Sequence, residues 1–200
     1  MLVISRILSI VFTPFYLPIV CMAALFMFTY LAMLPWQYKL QMTVLTYLFT
    51  IFLPTLLIRI YRQYHGKKLI HLSRREKRMV PYFISIFSYL AFYELMRYLH
   101  VPYFMAVIAV AALLIQIVCA MINLRMKIST HMAAIGGVVG GVTAFSFILG
   151  FNGIWWISIL ILIAGMVGTA RMILRIHTLS EICLGFLIGA ATTFLTLIFF

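Results

Sequence analysis

Along the chain, apolar positions run in long unbroken stretches separated by short polar segments. Seven stretches can be marked, at residues 7–34, 41–60, 81–99, 103–123, 131–150, 154–170 and 178–200, most of them near the ~20 residues a membrane-spanning helix needs. This pattern predicts an all-α, polytopic membrane bundle of six to seven spans. It forms a single integral membrane domain with an N-terminal helical hairpin over 7–60 and a core over 74–200. Pro14, Pro18 and Pro54 fall inside the first two stretches, where a helix can kink if neighbours satisfy the freed carbonyls. The count falls to six if one stretch is re-entrant. One early charge, Arg6, and no small-residue cleavage site mark the first stretch as an uncleaved span and not a signal peptide.

Composition agrees: 66% hydrophobic residues, 9% charged residues and a mean hydropathy of +1.18 leave too little polar surface for a soluble globule. Charge adds an orientation. If the spans alternate in direction, Arg6, the eight cations between Arg59 and Arg78, Arg125, Lys127, Arg171 and Arg175 share one membrane face, leaving Lys39 and Arg97 toward the other. The positive-inside rule accounts for such clustering without a ligand. Attraction of anionic headgroups is the other reading for Arg59, Arg62, Lys67 and Lys68. Trp36, Trp155 and Trp156 fall at the opposite face, as an aromatic belt would. Cys21, Cys119 and Cys183 lie in apolar runs without metal-ligand spacing and read as small buried hydrophobes. Gly136, Gly137, Gly140 and Gly141, with Gly185 and Gly189, form small-xxx-small pairs that let helix backbones approach closely.

Candidate chemistry concentrates in two segments. In the run from Arg171 to Glu181 an arginine, a histidine and a glutamate stand between apolar stretches, where ionisable groups are costly and usually functional. His177 and Glu181 are four apart; on a helix they share a face, so the carboxylate can fix the tautomer of the imidazole. The second segment is Ser129-Thr130-His131, where a serine or threonine can cap the following helix and free backbone N–H groups can seat a phosphate. Two spans separate Arg74–Arg78 from Ser129, and two more separate His131 from Arg171. All three segments can therefore converge on one face, which is an inventory for handling phosphate. Glu94 and Arg97, three apart, read as a neutralised structural pair. His65, His71 and His100 receive no role.

The order of these segments resembles the type 2 phosphatidic acid phosphatase superfamily, whose motifs are Lys-x6-Arg-Pro, Pro-Ser-Gly-His and Ser-Arg-x5-His-x3-Asp. The third motif corresponds to Ala170-Arg171, five residues, His177, three residues and Glu181; the second corresponds to Ile128-Ser129-Thr130-His131. The resemblance covers about residues 74–190. Ala170 replaces the motif serine, Thr130 the glycine and Glu181 the aspartate. No Lys-x6-Arg-Pro can be laid over Ser73–Pro81, where Arg75 and Arg78 are the best substitutes.

The resemblance implies that His177 attacks phosphorus, that Glu181 stabilises the imidazolium, and that His131 protonates the leaving group and later activates water. Arg171, Arg75, Arg78, Ser129 and Thr130 would hold the phosphate oxygens. It implies no metal and no cofactor, in keeping with a chain that has no Asp and only Glu76, Glu94 and Glu181. The implied partner is a lipid phosphate entering from the bilayer, with no nucleic acid. The implied location is the bacterial inner membrane. The Lys/Arg bias points the site to the cytoplasm, whereas bacterial members of the family often act on the outer face, and both remain open. The alternative function is a non-catalytic relative that binds anionic headgroups or a membrane partner. A transporter finds no support in inverted repeats or paired broken helices.

Overall fold

The computed structural model describes residues 3, 5, 6, 9, 12, 14–28, 30–65, 76–150 and 152–200, with backbone only at 14, 17, 28, 30, 65 and 76–78. Among these residues the fold is all α, without strands. In chain order the α-helices are α1 Leu17–Phe28, α2 Trp36–Tyr47, α3 Leu53–His65, α4 Glu76–Tyr98, α5 Tyr103–Arg125, α6 Thr130–Leu149, α7 Ile154–Ile173 and α8 Leu179–Phe199. Helices α2 and α3 join through a π-helical turn at Leu48–Phe52 into one long rod. Among the described residues six segments are long and apolar enough to cross a membrane: that rod over Trp36–Tyr64, then Met79–Tyr98 and the whole of α5, α6, α7 and α8. The chain is an integral membrane protein.

The first apolar stretch departs from the expected helical span over 7–34. Its described residues include a 3-10 turn at Pro14–Tyr16, the 12-residue α1 and a second 3-10 turn at Tyr30–Met33. A helix of that length extends about 18 Å at 1.5 Å per residue, short of the ~30 Å hydrocarbon core. Pro18 lies in its first turn, where a missing N–H is tolerated, and Pro14 opens the 3-10 turn before it. The described residues of this stretch are found at both ends of the bundle. Ser9 touches Arg171 and His131 at one end, and Leu25 and Leu31 pack with Met96 and Met105 beside the α4–α5 turn at the other.

Pro54 has a milder effect, because the rod widens into the π turn before it and continues. Thr55 Oγ1 donates to the Ile51 carbonyl at 2.7 Å, satisfying a backbone acceptor at the distortion.

The closest packing is between α6 and α8, which run parallel from the same face. A Cβ on Gly189 would lie 1.7 Å from the Ala133 carbonyl oxygen, on Gly136 2.1 Å from that of Phe186, on Gly140 2.2 Å from that of Ala190 and on Gly185 2.6 Å from that of Ser129. The glycine pairs therefore seat one backbone against the other, as their spacing predicts. The consequence is positional: the first turns of α6 and α8, with His131 and Glu181, are clamped side by side. The tryptophans at the starts of α2 and α7 lie exposed at the far face, as expected of an interfacial belt. Cys119 is buried as expected, but Cys21 is only half-buried and Cys183 is exposed on the outside of α8. Glu94 and Arg97 form an exposed ion pair at 3.4 Å on the surface of α4, in line with a structural role.

Candidate functional site

Helix α7 ends in a reversal that delivers His177. Arg175 takes a left-handed conformation, φ 51°. Its N–H bonds the Met172 carbonyl at 2.8 Å, and the N–H of Ile176 bonds that of Arg171 at 3.1 Å. This pair of bonds is a Schellman closure, built here with arginine where glycine is usual. His177 follows directly and Thr178 then caps α8. The Thr178 hydroxyl accepts from the Glu181 N–H, and the Glu181 carboxylate accepts from the Thr178 N–H, both at 3.4 Å.

The same carboxylate oxygen, Glu181 Oε2, lies 2.7 Å from His177 Nδ1. The expected partnership is present, but a shared helix face is not its cause. His177 precedes the helix, and the contact comes from the capping box, which folds Glu181 back over the N-terminus. Thr178-Leu-Ser-Glu181 is itself a legible capping signature. Nδ1–H is fixed as the donor by its carboxylate acceptor, which leaves the Nε2 lone pair as the nucleophilic site.

His177 is 7% exposed and Glu181 20%. Burial pushes the imidazole below the ordinary histidine value of 6.5; the Glu181 hydrogen bond opposes this, while Arg171 and Lys127 reinforce it. The imidazole is therefore neutral at pH 7.

Two bonds bring the α5–α6 connection against this turn. Lys127 Nζ donates to the Ile176 carbonyl, and the Ser129 N–H donates to the Glu181 carbonyl at 3.4 Å. Ser129 occupies the N-cap position of α6, but its hydroxyl makes no capping bond, contrary to the sequence expectation. It is fully buried without a hydrogen-bond partner among the described residues, as are His131 Nδ1 and Arg171 Nε. Buried polar atoms are rarely left so, and two of these three belong to residues that line one cavity, His131 and Arg171.

Thr130, His131, Arg171 and His177 line a single cavity of about 670 Å³, together with Arg59 and Arg62 of α3 and Lys127. Thr130 and His131 of the second segment are thus brought together with Arg171 and His177 of the third, while the buried Ser129 does not line the cavity. Arg75 lies outside the described residues, and for Arg78 only the backbone, in the first turn of α4, is described.

Sequence reasoning missed other participants. Ser9 reaches the site from the opposite end of the chain: its hydroxyl accepts from Arg171 Nη1 at 2.6 Å, and its carbonyl lies 3.2 Å from His131 Nε2. No local pattern marks it. It brings a hydroxyl to Arg171. Lys127 and the α3 arginines supply cations to the cavity whatever the role of Arg75 and Arg78.

The arrangement can hold a phosphoryl group between cations, present a neutral imidazole to it, and offer a second imidazole for proton transfer. Comparison of the chain with protein-family models, with curated proteins and with solved structures finds no match.

Proposed function

We propose that this protein is a membrane phosphatase that hydrolyses the phosphate or pyrophosphate ester of a lipid through a phosphohistidine at His177, in the manner of the type 2 phosphatidic acid phosphatases. One observation carries the proposal: His131, Arg171 and a Glu181-bound His177, spread over separate helices and turns, line one cavity with unpaired buried polar atoms around it. A site that only binds a headgroup has no use for an imidazole whose tautomer is fixed by a carboxylate.

In the proposed reaction Arg171 and Lys127 draw in the phosphoryl oxygens. Nε2 of neutral His177 attacks phosphorus, the P–O bond to the lipid breaks, and His131, which takes up a proton from solvent as the phosphate dianion enters beside it, gives that proton to the departing oxygen. Positive charge then develops on His177, and Glu181 stabilises it through Nδ1–H. In the second half, neutral His131 takes a proton from water. The hydroxide attacks phosphorus, the P–N bond breaks, and phosphate leaves with both histidines restored.

The test is phosphate release by purified protein in detergent, with EDTA present, from phosphatidic acid, phosphatidylglycerol phosphate or a polyprenyl diphosphate. At least one should be hydrolysed, and His177→Ala should abolish release. Release that survives His177→Ala, or that chelation removes, contradicts the proposal.

A further inference from the structure

Helix α3 places Thr55, Arg59 and Arg62 at intervals of four and three residues, on one face, and all three line the histidine cavity. Leu56, Leu57 and Ile60 lie on the other side, about 40% exposed on the bundle surface; Arg59 and Arg62 are exposed too, as cations at the mouth of an open cavity are. The arginines of α3 therefore border the space that His177 borders. That is not the arrangement expected of cations serving only topology or the lipid surface, the two readings the sequence offers.

Charge in the cavity is one-sided. Arg59, Arg62, Lys127 and Arg171 line it, and no carboxylate does among the described residues. Arg171 and Lys127 flank His177 and suffice for the dianion of one phosphate monoester. The α3 pair is surplus to that need. The volume, about 670 Å³, falls in the range of about 300–1,000 Å³ that accommodates whole small-molecule ligands.

We propose that Arg59 and Arg62 form a second anion subsite, so that the preferred substrate carries a second phosphate group beside the one transferred to His177. The inference rests on the proposed reaction for the identity of the transferred group. A lipid diphosphate and a phospholipid with both a phosphodiester and a terminal monophosphate share this chemistry.

The test uses the full chain in detergent at fixed ionic strength, with inorganic phosphate and inorganic pyrophosphate as probes and binding followed by phosphorus NMR. A pair of charge-assisted hydrogen bonds supports a preference of roughly 10-fold or more for pyrophosphate. Arg59→Gln/Arg62→Gln should reduce that preference to near unity while phosphate binding stays within about two-fold, since Arg171 and Lys127 are untouched. Arg62→Lys keeps the charge needed for insertion but loses the guanidinium fork. It should show an intermediate preference and stands in if the double variant is unfolded.

Equal binding of the two anions by the wild type, or equal weakening of both in the variants, overturns the subsite. Because binding is read without turnover, a pyrophosphate preference lost in the variants upholds the subsite even if no lipid is hydrolysed. Turnover without that preference upholds the phosphatase reading and removes the subsite. Comparing kcat/KM for farnesyl diphosphate against farnesyl phosphate, and for phosphatidylglycerol phosphate against phosphatidic acid, identifies the source. The pair whose ratio falls in Arg62→Lys is the substrate type, and turnover of both pairs with neither ratio changed overturns the proposal.

Discussion

Gly189→Ala tests whether the α6–α8 contact holds the two histidines in register. The added Cβ would lie 1.7 Å from the Ala133 carbonyl oxygen, where contacts under 3.0 Å are essentially never found, and the obstacle is backbone. The helices must part by more than 1 Å. Overpacking of this kind costs about 1–3 kcal/mol, set against a helix-propensity gain from Gly to Ala of about 1 kcal/mol. The matched control is Gly165→Ala on α7, where a Cβ meets nothing within 4 Å and only the gain applies. Gly165→Ala should hold or raise the Tm in detergent, and Gly189→Ala should lower it relative to that control by several degrees, at about 2–4 °C per kcal/mol for a chain of this size. A displacement of about 1 Å between reacting groups can cost about 10²-fold in rate. Phosphate release by the folded fraction should fall accordingly in Gly189→Ala alone. Equal Tm and equal turnover in the two variants would refute the argument that this contact sets the geometry of the site.

Other outcomes follow from the same geometry. Glu181→Gln removes the charged acceptor for His177 Nδ1 but preserves side-chain length, so turnover should fall by roughly 10- to 100-fold, in line with a charge-assisted hydrogen bond of about 1.5–3 kcal/mol; a rate within two-fold of wild type would detach Glu181 from the chemistry. The His177 imidazole is held below 6.5, so the acid limb of the kcat/KM profile should fall below pH 6.5. Lys127→Met, which removes one cause of the lowering, should move that limb upward; a downward shift would contradict the assignment. Stability has the matching sign. As pH falls below 6.5 the unfolded chain binds a proton that folded His177 resists, so denaturation midpoints should decline there, and less steeply in His177→Gln.

The spans from α4 onward follow from runs of apolar residues interrupted at each turn by charge, glycine or proline, a signal that survives any detail of packing. The first stretch is just as apolar, yet Pro14 and Pro18 and its packing against α4 and α5 break it into short pieces, which mean hydropathy cannot register. His177 and Glu181 were legible as partners, though for the wrong local reason: spacing alone does not say whether a residue precedes a helix or lies on it, and the capping box beginning at Thr178 decides that. Arg59 and Arg62 were visible as charge only, because the direction of their face depends on what α3 packs against. Ser9 lies 162 residues from Arg171, and nothing short of the folded chain joins them.

The central claim is a covalent bond between phosphorus and His177, and trapping it is the most direct measurement. Wild-type protein mixed briefly with a ³²P-labelled lipid phosphate in EDTA and quenched in alkali should carry label that is stable to base and released by acid, as a phosphoramidate requires. Mass spectrometry should place it on the peptide containing residue 177. His131→Ala, which has lost the group that activates water, should accumulate more of it if the first step remains measurable. Label at another residue, or hydrolysis with none trapped in either protein and undiminished in His177→Ala, would contradict the account.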